Sequence, residues 1–258
     1  MKADLAIVLR SSLYQERDKL VYLLTEHHGK ITGIAKGAVH SRRFGGAFDL
    51  FNCINVEFVD KPERELARID SATVKRDFPA LRLSLEKISA AGYFLDLVNR
   101  LLEPRHPSRE IFILLAHYLH LLETAQATTE VVRSFEIKLV DRLGYSPIFQ
   151  QCVSCGVGMM DYFKDERLAS FSFSIERGGI LCPNCASASE GRRISREAAL
   201  WVQLVRSTPI KEIPTIDIGK AAVSEGADFL KDFIRYHGPG LDRASFRSQN
   251  FLEQVLTY

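Results

Sequence analysis

Four of the five cysteines fall into two C-x-x-C pairs, Cys152/Cys155 and Cys182/Cys185, separated by 26 residues. Four thiolates from two knuckles reach the corners of a tetrahedron, a set that suits Zn²⁺ because a filled d shell imposes no geometry of its own. Gly156 directly after the first knuckle, Pro183 inside the second and Gly178-Gly179 before it supply the turns that such knuckles need. The alternating run Leu168–Ile175 reads as a strand, so knuckles plus strand spell a zinc ribbon. With four protein ligands no coordination position stays open, so the expected ion, one Zn²⁺ per chain, is structural. A thioredoxin-like redox pair would need a βαβ setting, and that pattern is missing. Cys53 stands alone in an apolar segment and reads as a small core residue.

Catalytic patterns are otherwise absent. No G-x-S-x-G, P-loop or H-E-x-x-H occurs, and the G-x-G at Gly156/Gly158 lies inside the cysteine module. His117 and His120 are one helical turn apart in Leu-rich surroundings and read as packing or surface histidines. The chain is therefore not expected to be an enzyme. A second chemistry is electrostatic. Residues 1–46 hold eight basic side chains, Lys30 and Lys36 among them, against four acids, a local charge of +4. Within that block 36–46 (KGAVHSRRFGG) reads as a flexible basic loop. Lys36, Arg42 and Arg43 could meet phosphates, and Phe44 and Tyr14 could stack bases, the combination used to hold single strands.

The elements that must position these groups follow from composition and periodicity. The 258 residues carry 34 Lys+Arg against 32 Asp+Glu, and 46% of them are hydrophobic. That composition excludes dominant disorder and collagen-like or coiled-coil designs. No run of 18 apolar residues and no secretory h-region is visible, and an odd cysteine count fits a reducing cytoplasm. Short β-type runs at 4–9, 19–25, 30–35, 54–58 and 68–74 predict five strands. Five short strands cannot bury both faces as an open sheet, so a closed OB-like barrel is expected. Helical spacing begins after Asp77-Phe78-Pro79 and predicts helices over 81–103, 109–125, from 129 to Gly144, 196–207, 221–237 and 246–256. Ser108 and Thr128 or Thr129 are the expected N-caps, and Gly144 the left-handed C-terminal residue. The class is α+β: a barrel over 1–77, a helical bundle over 78–149 and 191–258, and a zinc ribbon inserted at 150–190.

The motifs themselves resemble a family. Tyr14-Gln15-Glu16-Arg17-Asp18, Gly29-Lys30-Ile31 and Ile34-Ala35-Lys36-Gly37 are similar to bacterial recombination mediators of the RecO family. So are Phe135-Glu136-Ile137-Lys138-Leu139, Leu143-Gly144-Tyr145-Ser146-Pro147 and the two cysteine knuckles. The resemblance covers most of the chain and is weakest over the last 60 residues. It implies an N-terminal OB domain, a helical domain with a zinc insertion, and a non-enzymatic role in the RecF pathway of recombination and repair. Implied partners are single- and double-stranded DNA, RecR, the acidic C-terminal tail of single-stranded-DNA-binding protein and, indirectly, RecA. The implied location is the cytoplasm, at the nucleoid. For the tail, an apolar groove edged with base is expected on the helical domain, with Arg133, Lys138 and Arg142 as candidates. The rival class is a zinc-dependent interaction module or redox-regulated chaperone, which would not need the basic barrel loop.

Overall fold

The computed structural model describes residues 1–186, 191–216, 219–238 and 247–256. They fall into two compact units, 1–127 with the C-terminal segment, and 128–238. The segment 78–149, read as one piece from the sequence, is divided between them.

The first unit opens with five strands, β1 (Lys2–Tyr14), β2 (Asp18–Thr25), β3 (Gly29–Ala35), β4 (Cys53–Val59) and β5 (Ala67–Arg76). They close into a barrel in the order β1-β2-β3-β5-β4, antiparallel except where β3 meets β5. Closure removes both edges of the sheet. Alternate residues face inward, so Val8, Val21, Leu23, Ile31, Ile54, Val56 and Phe58 form its core. The expected OB-like barrel is present, and β1 runs well past its apolar core because Arg10–Tyr14, only partly covered, still pair with β2.

A 3₁₀ turn (Pro79–Leu83) then leads into α1 (Leu85–Leu101). The helix starts later than its periodicity suggests because Ser84 is the cap, its hydroxyl accepting from the Lys87 N–H. The second helix, α2 (Arg109–Thr124), follows, but Ser108 does not cap it through its side chain; that hydroxyl donates to the His106 carbonyl. Close approach fixes how this region meets the barrel. A Cβ at Gly29 would lie 2.1 Å from the His106 carbonyl oxygen, and the Arg105 N–H donates to the Lys30 carbonyl.

The second unit is built on α3 (Thr129–Arg142), capped by the Thr128 hydroxyl on the Val131 N–H and ended at Gly144, φ +81°. A short α4 (Met160–Lys164), which the sequence did not suggest, precedes a small sheet of β6 (Ser170–Ser174), β7 (Gly179–Leu181) and β8 (Arg192–Ser195), ordered β7-β6-β8. It is followed by α5 (Arg196–Ser207), with Ser195 accepting from the Ala198 N–H, then a 3₁₀ turn (Ile210–Thr215) and α6 (Lys220–His237). The sheet shares its core with the helices. Phe173 on β6 stands 4.6 Å from Phe229 and 6.1 Å from Phe233 of α6, and 5.5 Å from Phe149. Back in the first unit, α7 (Arg247–Leu256) packs on α1, where Ser248 donates to Asp96. Phe246, expected to open that helix, lies outside the described residues.

Candidate metal centre and nucleic-acid interface

The two knuckles meet at one end of the small sheet. Cys152 and Cys155 sit in the turn before α4, and Cys182 and Cys185 follow β7 immediately. Each knuckle closes through its own backbone: the Gly156 N–H donates to the Cys152 carbonyl, and the Cys185 and Ala186 N–H groups to Cys182. Gly156 takes φ +76°, which the turn requires and a side chain would disfavour. The Val153 N–H reaches the Ile180 carbonyl and so ties the first knuckle to β7. The result brings all four Sγ atoms within 4.8 Å of one another, with Cys155 and Cys182 3.7 Å apart. A tetrahedron with Zn–S near 2.3 Å has sulfurs about 3.8 Å apart. The cysteines therefore fit a metal ion, and Cys152, Cys155, Cys182 and Cys185 would hold it.

Electrostatics point the same way. Burial raises the Cys152 thiol, but N–H groups of Cys182, Cys155 and Ser154 more than offset it, bringing the group down to about 6. Cys185 is pushed up to about 12 by the Cys155 and Cys182 sulfurs beside it. Four clustered thiols cannot all ionise near neutrality unless a cation balances them. Cys53, by contrast, is buried in the barrel wall and burial raises its thiol to about 11.

One other group among the described residues has ligand atoms this close, Asp4, Glu26 and His27. Its chemistry is already used. Asp4 accepts from the Leu5 and His27 N–H groups and has the Nδ1 atoms of His27 and His28 at 2.9 and 2.7 Å. Glu26 pairs with Arg109. The cluster fastens β1 to the β2–β3 turn.

At the barrel, the loop after β3 is not an open basic arm. Successive turn bonds, Ala38 to Ala35, Phe44 to Ser41, Asp49 to Gly46 and Asn52 to Asp49, fold it back on itself. Phe44 is 2% exposed and lies 5.2 Å from Phe48, both inside the barrel core. The expected base-stacking role of Phe44 is therefore corrected: its ring plugs the barrel. Lys30 is corrected too. Its Nζ donates to the Asn99 carbonyl, and burial lowers its pKa, so it holds β3 to the end of α1. Lys36, Arg42 and Arg43 are exposed, and Arg43 lies over the covered Phe44 ring at 5.4 Å. The loop is bonded to the β1–β2 turn, Val39 N–H to the Arg17 carbonyl and Gly37 N–H to Asp18. This brings exposed Arg17 to the same end, beside half-buried Tyr14, with Glu16 and Asp49 as the exposed acids of the two loops. A further pair escaped the sequence reading. Arg10 and Tyr22 are register partners across β1 and β2, and the guanidinium stands 5.6 Å from the ring centroid. Only the register reveals them, because eleven residues lie between them in the chain.

The basic residues expected to edge a groove on α3 are mostly internal. Ten consecutive residues, Val131–Val140, are buried. Arg133 pairs with Glu136 at 2.6 Å, both side chains covered. Lys138 Nζ donates to the Arg206 and Thr208 carbonyls at the end of α5, where a cation meets the negative pole of the helix. Arg133 and Lys138 are thereby corrected to packing roles, because α3 is wedged against α5 and α6. Arg142 alone of the three is exposed.

The chain matches the family model for the N-terminal domain of recombination protein O over residues 1–78, and that for its C-terminal domain over 82–245. The chain belongs to the RecO family of DNA repair proteins. A DNA repair protein RecO of Anaeromyxobacter sp. strain Fw109-5 is 30% identical over 257 residues, covering 96% of this chain and 94% of the relative. One from Geobacter metallireducens is 37% identical over 195 residues, 75% of each chain, and one from Desulfosudis oleivorans 29% over 242 residues. No helix among the described residues is long and apolar enough to cross a membrane.

Proposed function

We propose that the protein is a non-enzymatic recombination mediator that binds single- and double-stranded DNA on its barrel and anneals complementary strands. It would act with RecR on DNA coated by single-stranded-DNA-binding protein, to help load RecA, in the bacterial cytoplasm at the nucleoid. The observation that carries this reading is the bonding of the β3–β4 loop to the β1–β2 turn. It gathers Arg17, Lys36, Arg42 and Arg43 at one end of the barrel against exposed Glu16 and Asp49 and half-buried Asp18. From that end the outward side chains of β1, Tyr14, Ser12 and Arg10, lead along the strand to Tyr22. The combination offers phosphate contacts followed by aromatic surface, which suits an unpaired strand.

Annealing needs like-charged strands to be neutralised yet held loosely enough to find register. A handful of exposed cations does this, with affinity falling as salt rises because each phosphate contact releases counterion. The four cysteines are assigned one Zn²⁺ per chain as a structural ion. Arg142 is the residue of α3 left to meet the acidic tail of the single-strand-binding protein. The test is annealing of complementary oligonucleotides by the intact protein. Wild type should accelerate it at low salt, and Arg42→Ala/Arg43→Ala should slow it several-fold without changing the melting temperature. Equal rates in both proteins would remove the loop from the function.

A further inference from the structure

The four cysteines are unequal. Cys152 and Cys182 are each 1% exposed, Cys185 is half-buried, and Cys155 is exposed. The exposed sulfur lies 3.7 Å from a buried one of the opposite knuckle, Cys182. Among four thiols gathered at one site, access decides which meets an oxidant first. We propose that Cys155 is a peroxide-reactive modification site and that Cys182 resolves it into a cross-knuckle disulfide. The inference rests on the metal-centre reading for its consequence, ion release, while the disulfide itself depends only on the sulfur geometry.

The chemistry balances with a hydroperoxide as the oxidant. The Cys155 thiolate attacks hydrogen peroxide; the S–O bond forms, the O–O bond breaks, and hydroxide leaves with a sulfenic acid on Cys155. The Cys182 thiolate then attacks that sulfur; the S–S bond forms, the S–O bond breaks, and a second hydroxide leaves. Two electrons pass from the sulfurs to the peroxide. Cys152 and Cys185 would be left as the site's free thiols, two ligands where a closed zinc site needs four, so a bound ion would be released. Cys53 serves as an internal control, since it is buried and its thiol is raised to about 11.

The test uses the full-length reduced protein treated with hydrogen peroxide, followed by a chromogenic zinc chelator and by fragmentation mass spectrometry of the disulfides. Zinc content before peroxide reports on the metal reading alone; the disulfide map decides the oxidation whether or not zinc was present. The expected result is one Cys155–Cys182 disulfide per chain, zinc release up to one equivalent in step with it, Cys53 still a free thiol when alkylated after unfolding, and recovery on adding dithiothreitol and zinc. A first disulfide that omits Cys155, or one closed within a single knuckle, would overturn the proposal. So would a zinc-loaded protein that keeps its ion while Cys155 oxidises.

Discussion

Phe44 and Arg43 are adjacent, and they do opposite things. The guanidinium is exposed, whereas the ring under it is 2% exposed and packed on Phe48. Their substitutions should separate cleanly. Phe44→Ala removes a buried ring and should cost about 3–5 kcal/mol of stability by denaturant titration. Arg42→Ala/Arg43→Ala should change stability by no more than about 0.5 kcal/mol. Tyr22 belongs with the arginines. Tyr22→Ala should weaken single-strand binding by about 1–3 kcal/mol, and Tyr22→Phe should restore most of it, because stacking uses the ring face. Fluorescence titration with an oligothymidylate measures both. A phenylalanine closing a basic stretch has the same sequence signature whether it stacks a base or plugs a barrel. Only the loop's turn bonds decide between them.

Elements were far more legible than these individual roles. Alternating or β-branched runs marked all five barrel strands, and the helix expected over 196–207 has the same bounds as α5. Helix ends depended on caps that sequence ranks poorly: Ser84 caps, and Ser108 does not. The buried cations on α3 were illegible for a different reason. A helix wedged between others shows no polar stripe, and Lys138 satisfies its charge on carbonyls of α5, far along the chain. Element contact also sets the sign of a glycine change. Gly226 of α6 has the Trp201 ring where its Cβ would be, 2.5 Å away. Gly226→Ala would ordinarily favour a helix, but here it should destabilise by about 1–3 kcal/mol in thermal melts.

For the whole molecule, the +2 net charge is the least informative number, since the first 46 residues hold +4 and the rest −2. The cysteine segment 151–190 has three basic residues against five acids, so charge favours the barrel over the ribbon as the DNA surface. The two units also have separate cores, one inside the barrel and one around Phe173, Phe229 and Phe233. Metal removal should therefore act unequally. A zinc chelator should disorder the ribbon and loosen the second core through Phe149 and Phe173, while hydrogen exchange of β1–β5 stays slow. Uniform loss of protection would mean that the metal supports both cores.

Neutralisation of DNA phosphates by the loop cations at one end of the barrel is read most directly from the salt dependence of single-strand affinity. Binding of a short oligonucleotide to wild type and to Arg42→Ala/Arg43→Ala is titrated across a series of salt concentrations. Each lost phosphate contact should reduce the log–log slope by about 0.7, so the double variant should be shallower by about 1.4. An unchanged slope, with both proteins folded, would place the DNA surface elsewhere on the molecule.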